Sequence, residues 1–345
     1  MKIYYPDRFI TRHVGGNSTY ARKLKEGMED HYIETGLIPS SFHPFFTLIT
    51  ETAFGLRRLD NSVLHYTGDT GPILPTRTPS VVTVHGVSRH LSPMSRKPTQ
   101  ERIWRERVKL AIRNCDRIIT VSGSSADEIS ETFGVDRQDI TVIHHGVDAH
   151  HFAKSVQLSQ EFQQIIPGKY ILYLGNIEPK KNLIALIRGY RQSKVQKEGI
   201  QLIIAGQPAW DYEETLIEIG VTPGVVYLGF VSDDDRIALM QNCELFILPS
   251  LYEGFGFPVL EALAAGAVVT STRRGALSEI AGPSLEIDGV DSEAISHAIH
   301  TGLGDNNARL TVLERGWDWA NQFSWPESVR KHLAVYKEVS SHGQG

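Results

Sequence analysis

The chain has 345 residues, enough for two domains that each bury a core of their own. With 35 Lys+Arg against 40 Asp+Glu the formal charge is −5, which excludes a general nucleic-acid binder. Two cysteines, Cys115 and Cys243, exclude a disulfide scaffold and a cysteine-based zinc site, and no apolar run reaches the ~20 residues of a membrane span.

Met1-Lys2 leads straight into a strand-like Ile3-Tyr4-Tyr5, so no signal peptide is expected. Gly15-Gly16-Asn17-Ser18 then opens a helix over Thr19–Met28; a glycine pair there wraps a phosphate or merely turns the chain. Strand-like runs follow at Ser62–Tyr66, Ser80–His85, Arg117–Ser122 and Ile140–His144, with a helix over Gln100–Cys115. His85 ends its run, placed either to meet a ligand or to serve as a satisfied structural residue. The polar, unpatterned stretch Ala153–Lys169, closed by Pro167-Gly168, reads as the connection between domains.

The second half restarts the pattern with strands at Tyr170–Gly175, Gln201–Gly206, Val225–Gly229, Leu245–Ser250 and Ala267–Ser271. Apolar runs such as Ile171–Leu174 and Leu245–Leu248 fit strands buried on both faces. Strands alternating with helices predict an α/β protein of two Rossmann-like domains in series, 1–152 and 153–324, with ligands beyond the carboxyl ends of the strands and a cleft between domains as the natural site. The tail Ser340–Gly345 is expected to fray.

Three segments carry chemistry. Pro249-Ser250-Leu251-Tyr252-Glu253-Gly254-Phe255-Gly256-Phe257-Pro258 predicts a strand end, a glycine turn and a helix starting near Phe257 with Pro258 in its first turn. Its outward N–H groups suit an anion or hydroxyl, and Glu253 and Glu261 are acceptors for vicinal hydroxyls; an ordinary glycine-rich loop is equally compatible. Gly175-Asn176-Ile177-Glu178-Pro179-Lys180-Lys181-Asn182 follows a strand and precedes a helix, so Lys180 and Lys181 either neutralise a diphosphate or are simply solvated. Asp233-Asp234-Asp235 resembles a metal triplet but reads better as a helix N-terminus capped by Ser232 or Asp233. His144-His145 and His150-His151 lack a usual ligand spacing, so no metal site is expected.

Taken together these residues resemble the family-4 retaining glycosyltransferases. Glu253…Glu261 resembles their E-x7-E signature, Gly15-Gly16 their N-terminal glycine loop, and Asp116-Arg117-Ile118-Ile119-Thr120-Val121-Ser122 their D-R-I-I-x-V-S strand. Gly146-Val147-Asp148 with Phe152, Gly175…Asn182, Gly275-Ala276-Leu277-Ser278-Glu279-Ile280-Ala281-Gly282 and Phe323-Ser324-Trp325 continue the likeness in family order. The resemblance implies the GT-B fold, two Rossmann-like α/β domains facing across a cleft, with the last helix, about 325–345, packing back on the first domain. It implies a nucleotide-sugar donor on the second domain and a glycan or lipid-linked acceptor on the first. Glu253, Lys181 and His85 would then be catalytic. Gly16, Asn176, Lys180, Gly254, Phe255, Gly256, Phe257 and Glu261 would bind the donor, with Glu261 on the ribose. Many relatives carry Arg where Asn176 stands, Asn where His145 stands, and Asp where Gly86 follows His85; His31–Asp60 matches nothing in the family.

The expected reaction is hexosyl transfer with retention and no cofactor or essential metal. The Glu-Pro-Lys-Lys-Asn branch resembles bacterial surface-polysaccharide mannosyltransferases, which makes GDP-mannose the first donor to consider. The alternatives are a non-catalytic nucleotide-sugar-binding or partner subunit and a GT-B-like nucleotide-sugar epimerase. A cytoplasmic location is expected. The basic stretch Arg96–Arg113 could add a peripheral contact with the inner membrane face, although an ordinary helix with its apolar side on the sheet accounts for it better.

Overall fold

A computed structural model describes residues 1–11, 15–29, 33–40, 43–87, 98–166 and 168–342. The chain forms two compact units, Met1–Gly146 with Phe323–Gly345, and Val147–Gln322.

In the first unit, β1 (Lys2–Pro6), β2 (Glu34–Ile38), β3 (Ser62–Tyr66), β4 (Ser80–Val84), β5 (Arg117–Thr120) and β6 (Ile140–Val142) form one parallel sheet in the order β2-β1-β3-β4-β5-β6. Side chains alternate across a strand, so Val63 and Val81 enter one core while Leu64 and Val82 enter the other. On one face lie Tyr20, Leu24 and Met28 of the helix Gly16–Glu29 together with Val329, Leu333 and Tyr336 of the helix Trp325–His342. A Cβ on Gly27 would stand 2.6 Å from Val329, so glycine lets these two helices approach closely. The opposite face is covered by Val108, Ala111 and Ile112 of the helix Pro98–Asn114 and by Ala126 and Ile129 of the helix Gly123–Phe133.

In the basic stretch Val108, Ala111 and Ile112 are core and Trp104 packs against that core, while Ile103 is exposed. Arg96 and Lys97 lie outside the described residues. The helix Trp325–His342 continues through Ser340 and Ser341, where fraying was expected; Gly343–Gly345 lie outside the described residues.

In the second unit, β7 (Tyr170–Leu174), β8 (Gln201–Ala205), β9 (Val225–Gly229), β10 (Leu245–Leu248), β11 (Val269–Ser271) and β12 (Leu285–Glu286) pair in the order β12-β11-β10-β7-β8-β9, again all parallel. This is the doubly wound order, with strand direction of travel reversing between β7 and β10. Both strands are buried along their whole length, as continuous apolar runs require. Most strands stop one or two residues before the expected ends, because the Gly, Ser and His residues there have already risen into loops.

One expectation needs correcting. The stretch Ala153–Lys169, expected to connect the domains, groups with the second unit, which begins at Val147. Gln241 Nε2 donates to the Phe152 and Lys154 carbonyls, Ser159 N–H donates to Asp235, and Phe152, Phe162 and Ile166 are buried. Gln241 and Asp235 hold its backbone, while most of its polar side chains between Lys154 and Lys169 are exposed.

Candidate active site

The crevice between β7 and β10 is where a doubly wound sheet opens. Two loops leave it side by side, stitched by backbone and amide contacts: Leu251 N–H donates to the Lys180 carbonyl at 2.8 Å, and Asn182 Nδ2 donates to the carbonyls of Pro249 and Val290. Asn182 itself sits in the left-handed region, φ 60°, closing the Pro179–Lys181 turn.

The β7 loop thereby presents Lys181 to the β10 loop. Lys181 Nζ lies 2.5 Å from Glu253 Oε1, and the same oxygen accepts from Ser250 Oγ at 2.7 Å; the lysine and the carboxylate are both buried. Burial pushes the Glu253 carboxyl up, and the charges of Lys181 and Lys180 with the Ser250 hydroxyl outweigh it, leaving the group below the ordinary carboxylate range. Lys180, half-buried, pairs with Glu178 at 3.1 Å, and Glu178 also accepts from Trp210 Nε1. Asn176 is exposed beyond β7.

After Glu253 comes Gly254-Phe255-Gly256. Gly256 has φ 96° and caps the helix Phe257–Ala264, with Pro258 in its first turn; a Cβ there would approach Leu277 to 2.7 Å. The first N–H groups of that helix have no partner within it and favour negative charge. One turn on, Glu261 is buried and accepts from Arg236 Nη1 at 2.8 Å, while Arg236 Nη2 holds Asp233, which also meets His151. Burial raises the Glu261 carboxyl above its ordinary range, and Arg236 offsets this only in part. The two glutamates of the signature are thus held by different cations.

Arg236 escaped the sequence reading. The acid triplet beside it opens the helix Asp233–Asn242, where Ser232 Oγ accepts from Asp235 N–H as a cap. The i,i+3 spacing of Asp233 and Arg236 marks a pair on the helix surface and does not point to Glu261.

His85 and Gly16 belong to the first unit. Gly16 is exposed at the start of its helix. His85 follows β4: its backbone N–H donates to Asp69, and Nε2 donates to the Thr67 carbonyl at 2.9 Å. A carbonyl only accepts, so the proton sits on Nε2 and Nδ1 carries the lone pair. Tyr20, one turn into the helix that Gly16 opens, lies edge-on to His85 with ring centres 5.0 Å apart.

Tyr20 is anchored by a buried chain whose direction is fixed throughout. His332 Nδ1 must donate to the Ser328 carbonyl, so its Nε2 accepts from the Tyr20 hydroxyl at 2.7 Å. Tyr20 Oη then accepts from Thr83 Oγ1, which accepts from His65 Nε2–H, and His65 Nδ1 accepts from the Tyr336 hydroxyl. Burial depresses both imidazoles, His332 to about 4 and His65 well below its ordinary value, so both are neutral at pH 7.

Two family models match the chain, Glycosyltransferase Family 4 over residues 9–151 and Glycosyl transferases group 1 over residues 158–316. The O-antigen chain mannosyltransferase B of Escherichia coli is 30% identical over 297 residues, covering 83% of this chain and 76% of that protein. The chain belongs to the family-4 glycosyltransferases. An MMP alpha-(1->4)-mannosyltransferase of Mycolicibacterium hassiacum is 27% identical over 71% of this chain, and the match spans 60% of that relative. The match to the serotype-specific mannosyltransferase WbdA of Escherichia coli, at 28% identity over 66% of this chain, spans only 29% of WbdA.

Solved structures agree on the architecture. The glycosyltransferase superposes on Anabaena HepE in complex with UDP and glucose with a TM-score of 0.75 at 19% identity, covering 98% of this chain and 100% of HepE. It superposes on the sucrose-phosphate synthase of Thermosynechococcus elongatus with a TM-score of 0.78 at 15% identity, covering 99% of each chain. The fold is GT-B.

Proposed function

We propose that this glycosyltransferase moves a hexose, mannose in the first instance, from a nucleoside diphosphate sugar to a hydroxyl of a glycan or lipid-linked acceptor, with retention at the anomeric carbon. The observation that carries this reading is the buried Lys181–Glu253 pair at the switch point of the second sheet, with Glu261 a helical turn beyond the glycine loop. The preference for mannose rests on the mannosyltransferase relatives.

In this mechanism Glu261, oriented by Arg236, accepts hydrogen bonds from the ribose hydroxyls, and the N–H groups of Gly254–Phe257 meet the sugar. Asn176 stands beside the diphosphate, and Lys180 and Lys181 stabilise the charge that grows on it as the glycosidic bond to phosphate breaks. Glu253 accepts from a sugar hydroxyl near the oxocarbenium-like carbon. The departing phosphate oxygen takes the acceptor's proton on the same face, so no protein nucleophile is required. Gly16 and His85 are assigned to the donor on the family resemblance. Fixed cations and a helix start supply the positive charge, so the reaction proceeds without an essential metal.

A thermal-shift panel of GDP, UDP, ADP and their sugars, with and without EDTA, tests the reading. Selective stabilisation by one nucleoside diphosphate, unchanged by EDTA, is expected. Stabilisation that needs a divalent cation contradicts the metal-free mechanism, and no response to any nucleotide contradicts the donor site.

A further inference from the structure

We propose that the helix Pro44–Gly55 of the first unit lies on the surface of an anionic bilayer. Apart from Phe54, which packs in the core, the helix is inside out. A surface helix normally turns its apolar stripe to the core and its polar residues to water. Here Thr47, Glu51 and Thr52 face inward and are buried, at 2%, 0% and 8% exposure, while Phe45, Phe46 and Ile49 stand 60%, 56% and 48% exposed. At 3.6 residues per turn, Phe45, Phe46, Ile49, Ala53 and Leu56 fall within an arc of about 100°, a single outward stripe.

The buried polar face is fully occupied, so the orientation is set by the fold. Glu51 accepts from Arg8 Nε at 2.8 Å and from Ser40 Oγ, and Thr52 Oγ1 accepts from Ile73 N–H. Turning the helix to bury Phe45 and Phe46 would strip Glu51 of these partners.

Charge identifies the occupant. Arg57 and Arg58 follow the stripe directly, and Arg77 is tied to its last turn, donating its backbone N–H to the Gly55 carbonyl. All three are exposed, and none makes an ion pair among the described residues; Arg57 rests on the Phe54 ring. Leu74, 48% exposed, extends the apolar area in the loop between Ile73 and Arg77. Exposed aromatics bordered by arginines without ion pairs suit acyl chains beneath anionic headgroups, whereas a second copy would bring three like charges together. Among the described residues no helix is long and apolar enough to cross a membrane, so the contact is with one surface. The surface differs from that of the basic helix Pro98–Asn114, where Val108, Ala111 and Ile112 pack in the core.

Co-sedimentation of the full chain with vesicles tests this independently of the donor reading. The chain should pellet with phosphatidylglycerol-containing vesicles, pellet little with pure phosphatidylcholine, and release at about 0.5 M salt. Phe45→Ser/Phe46→Ser/Ile49→Ser should lower binding at least about tenfold. Arg58→Glu/Arg77→Glu should lower it by about fivefold or more per arginine. These side chains are exposed, so both variants should keep the wild-type thermal transition and nucleotide response. The inference is overturned if wild type ignores anionic vesicles, binds neutral ones as well, or if the triple variant instead abolishes a lipid-free dimer seen by sedimentation.

Discussion

Lys181 and Glu253 neutralise each other, Nζ 2.5 Å from Oε1, in a site where both are almost fully buried. In the mechanism proposed above, the cation that meets the diphosphate is paired with a carboxylate. In that mechanism donor binding loosens this contact, and the carboxylate then accepts from the sugar. The coupling makes donor recognition depend on both ends of the donor at once, its phosphate and its sugar.

Breaking the pair on one side should separate stability from turnover. Lys181→Met leaves Glu253 with Ser250 as its remaining close partner and should cost about 3–5 kcal/mol of stability. It should also slow turnover at least about a hundredfold. Lys181→Met/Glu253→Gln removes the stranded charge, so calorimetry should show most of the thermal stability returning while turnover stays low. A double variant that regains turnover would show the pair to be structural only.

Arg236 should act on the nucleoside, not on the phosphates. Arg236→Met deprives buried Glu261 of its cation and should weaken GDP or UDP binding about tenfold. Pyrophosphate, which lacks ribose, should bind as it does to wild type. Titration calorimetry with both ligands checks this; equal losses would place Glu261 away from the ribose.

The buried histidines predict a pH dependence with a definite sign. His332 is pushed from 6.5 down to about 4, and His65, His85 and His145 are also lowered by burial. Each folded value lies below the unfolded one, so the unfolded chain binds more protons between them. Stability is full above pH 6.5 and falls as pH drops toward 4, His332 alone accounting for about 3 kcal/mol. Glu253, lowered from 4.5, adds a loss only below pH 4.5. Glu261 and Glu51, raised by burial, act in the opposite sense as they take up protons above pH 4.5. The His332 part is therefore read as the difference between wild type and His332→Gln in urea unfolding from pH 4.5 to 7, the variant losing less stability on acidification.

Gly256→Ala should lower stability by about 1–3 kcal/mol, since alanine at φ 96° is strained and its methyl meets Leu277. Donor affinity should fall with it, because the start of the helix Phe257–Ala264 would move. Calorimetry and nucleotide titration on the same variant check both effects.

Sequence alone was sufficient for the β7 and β10 strands and the loops after them, because doubly buried strands are written as unbroken apolar runs and their loops are marked by glycine, proline and lysine. It was not sufficient for β2, a short half-exposed edge strand inside 31–60 with no apolar alternation to betray it. Residues 153–169 carry exposed polar side chains, which read as a linker, and their attachment to the second unit runs through backbone groups held by Gln241 and Asp235. The inward polar face of Pro44–Gly55 inverts the usual pattern, so no periodicity rule could have placed Phe45 outside. The Tyr20–His332 link joins residues 312 apart in sequence, a distance no local pattern spans.

The most direct test of the donor-site assignment is turnover of GDP-mannose, UDP-glucose and UDP-N-acetylglucosamine with and without a glycan acceptor, with the product followed by NMR. Acceptor-dependent release of one nucleoside diphosphate, an α-linked product from an α-linked donor, and loss of both in Lys181→Met are predicted. An epimerised sugar formed without acceptor, an inverted linkage, or undiminished turnover in Lys181→Met would contradict it.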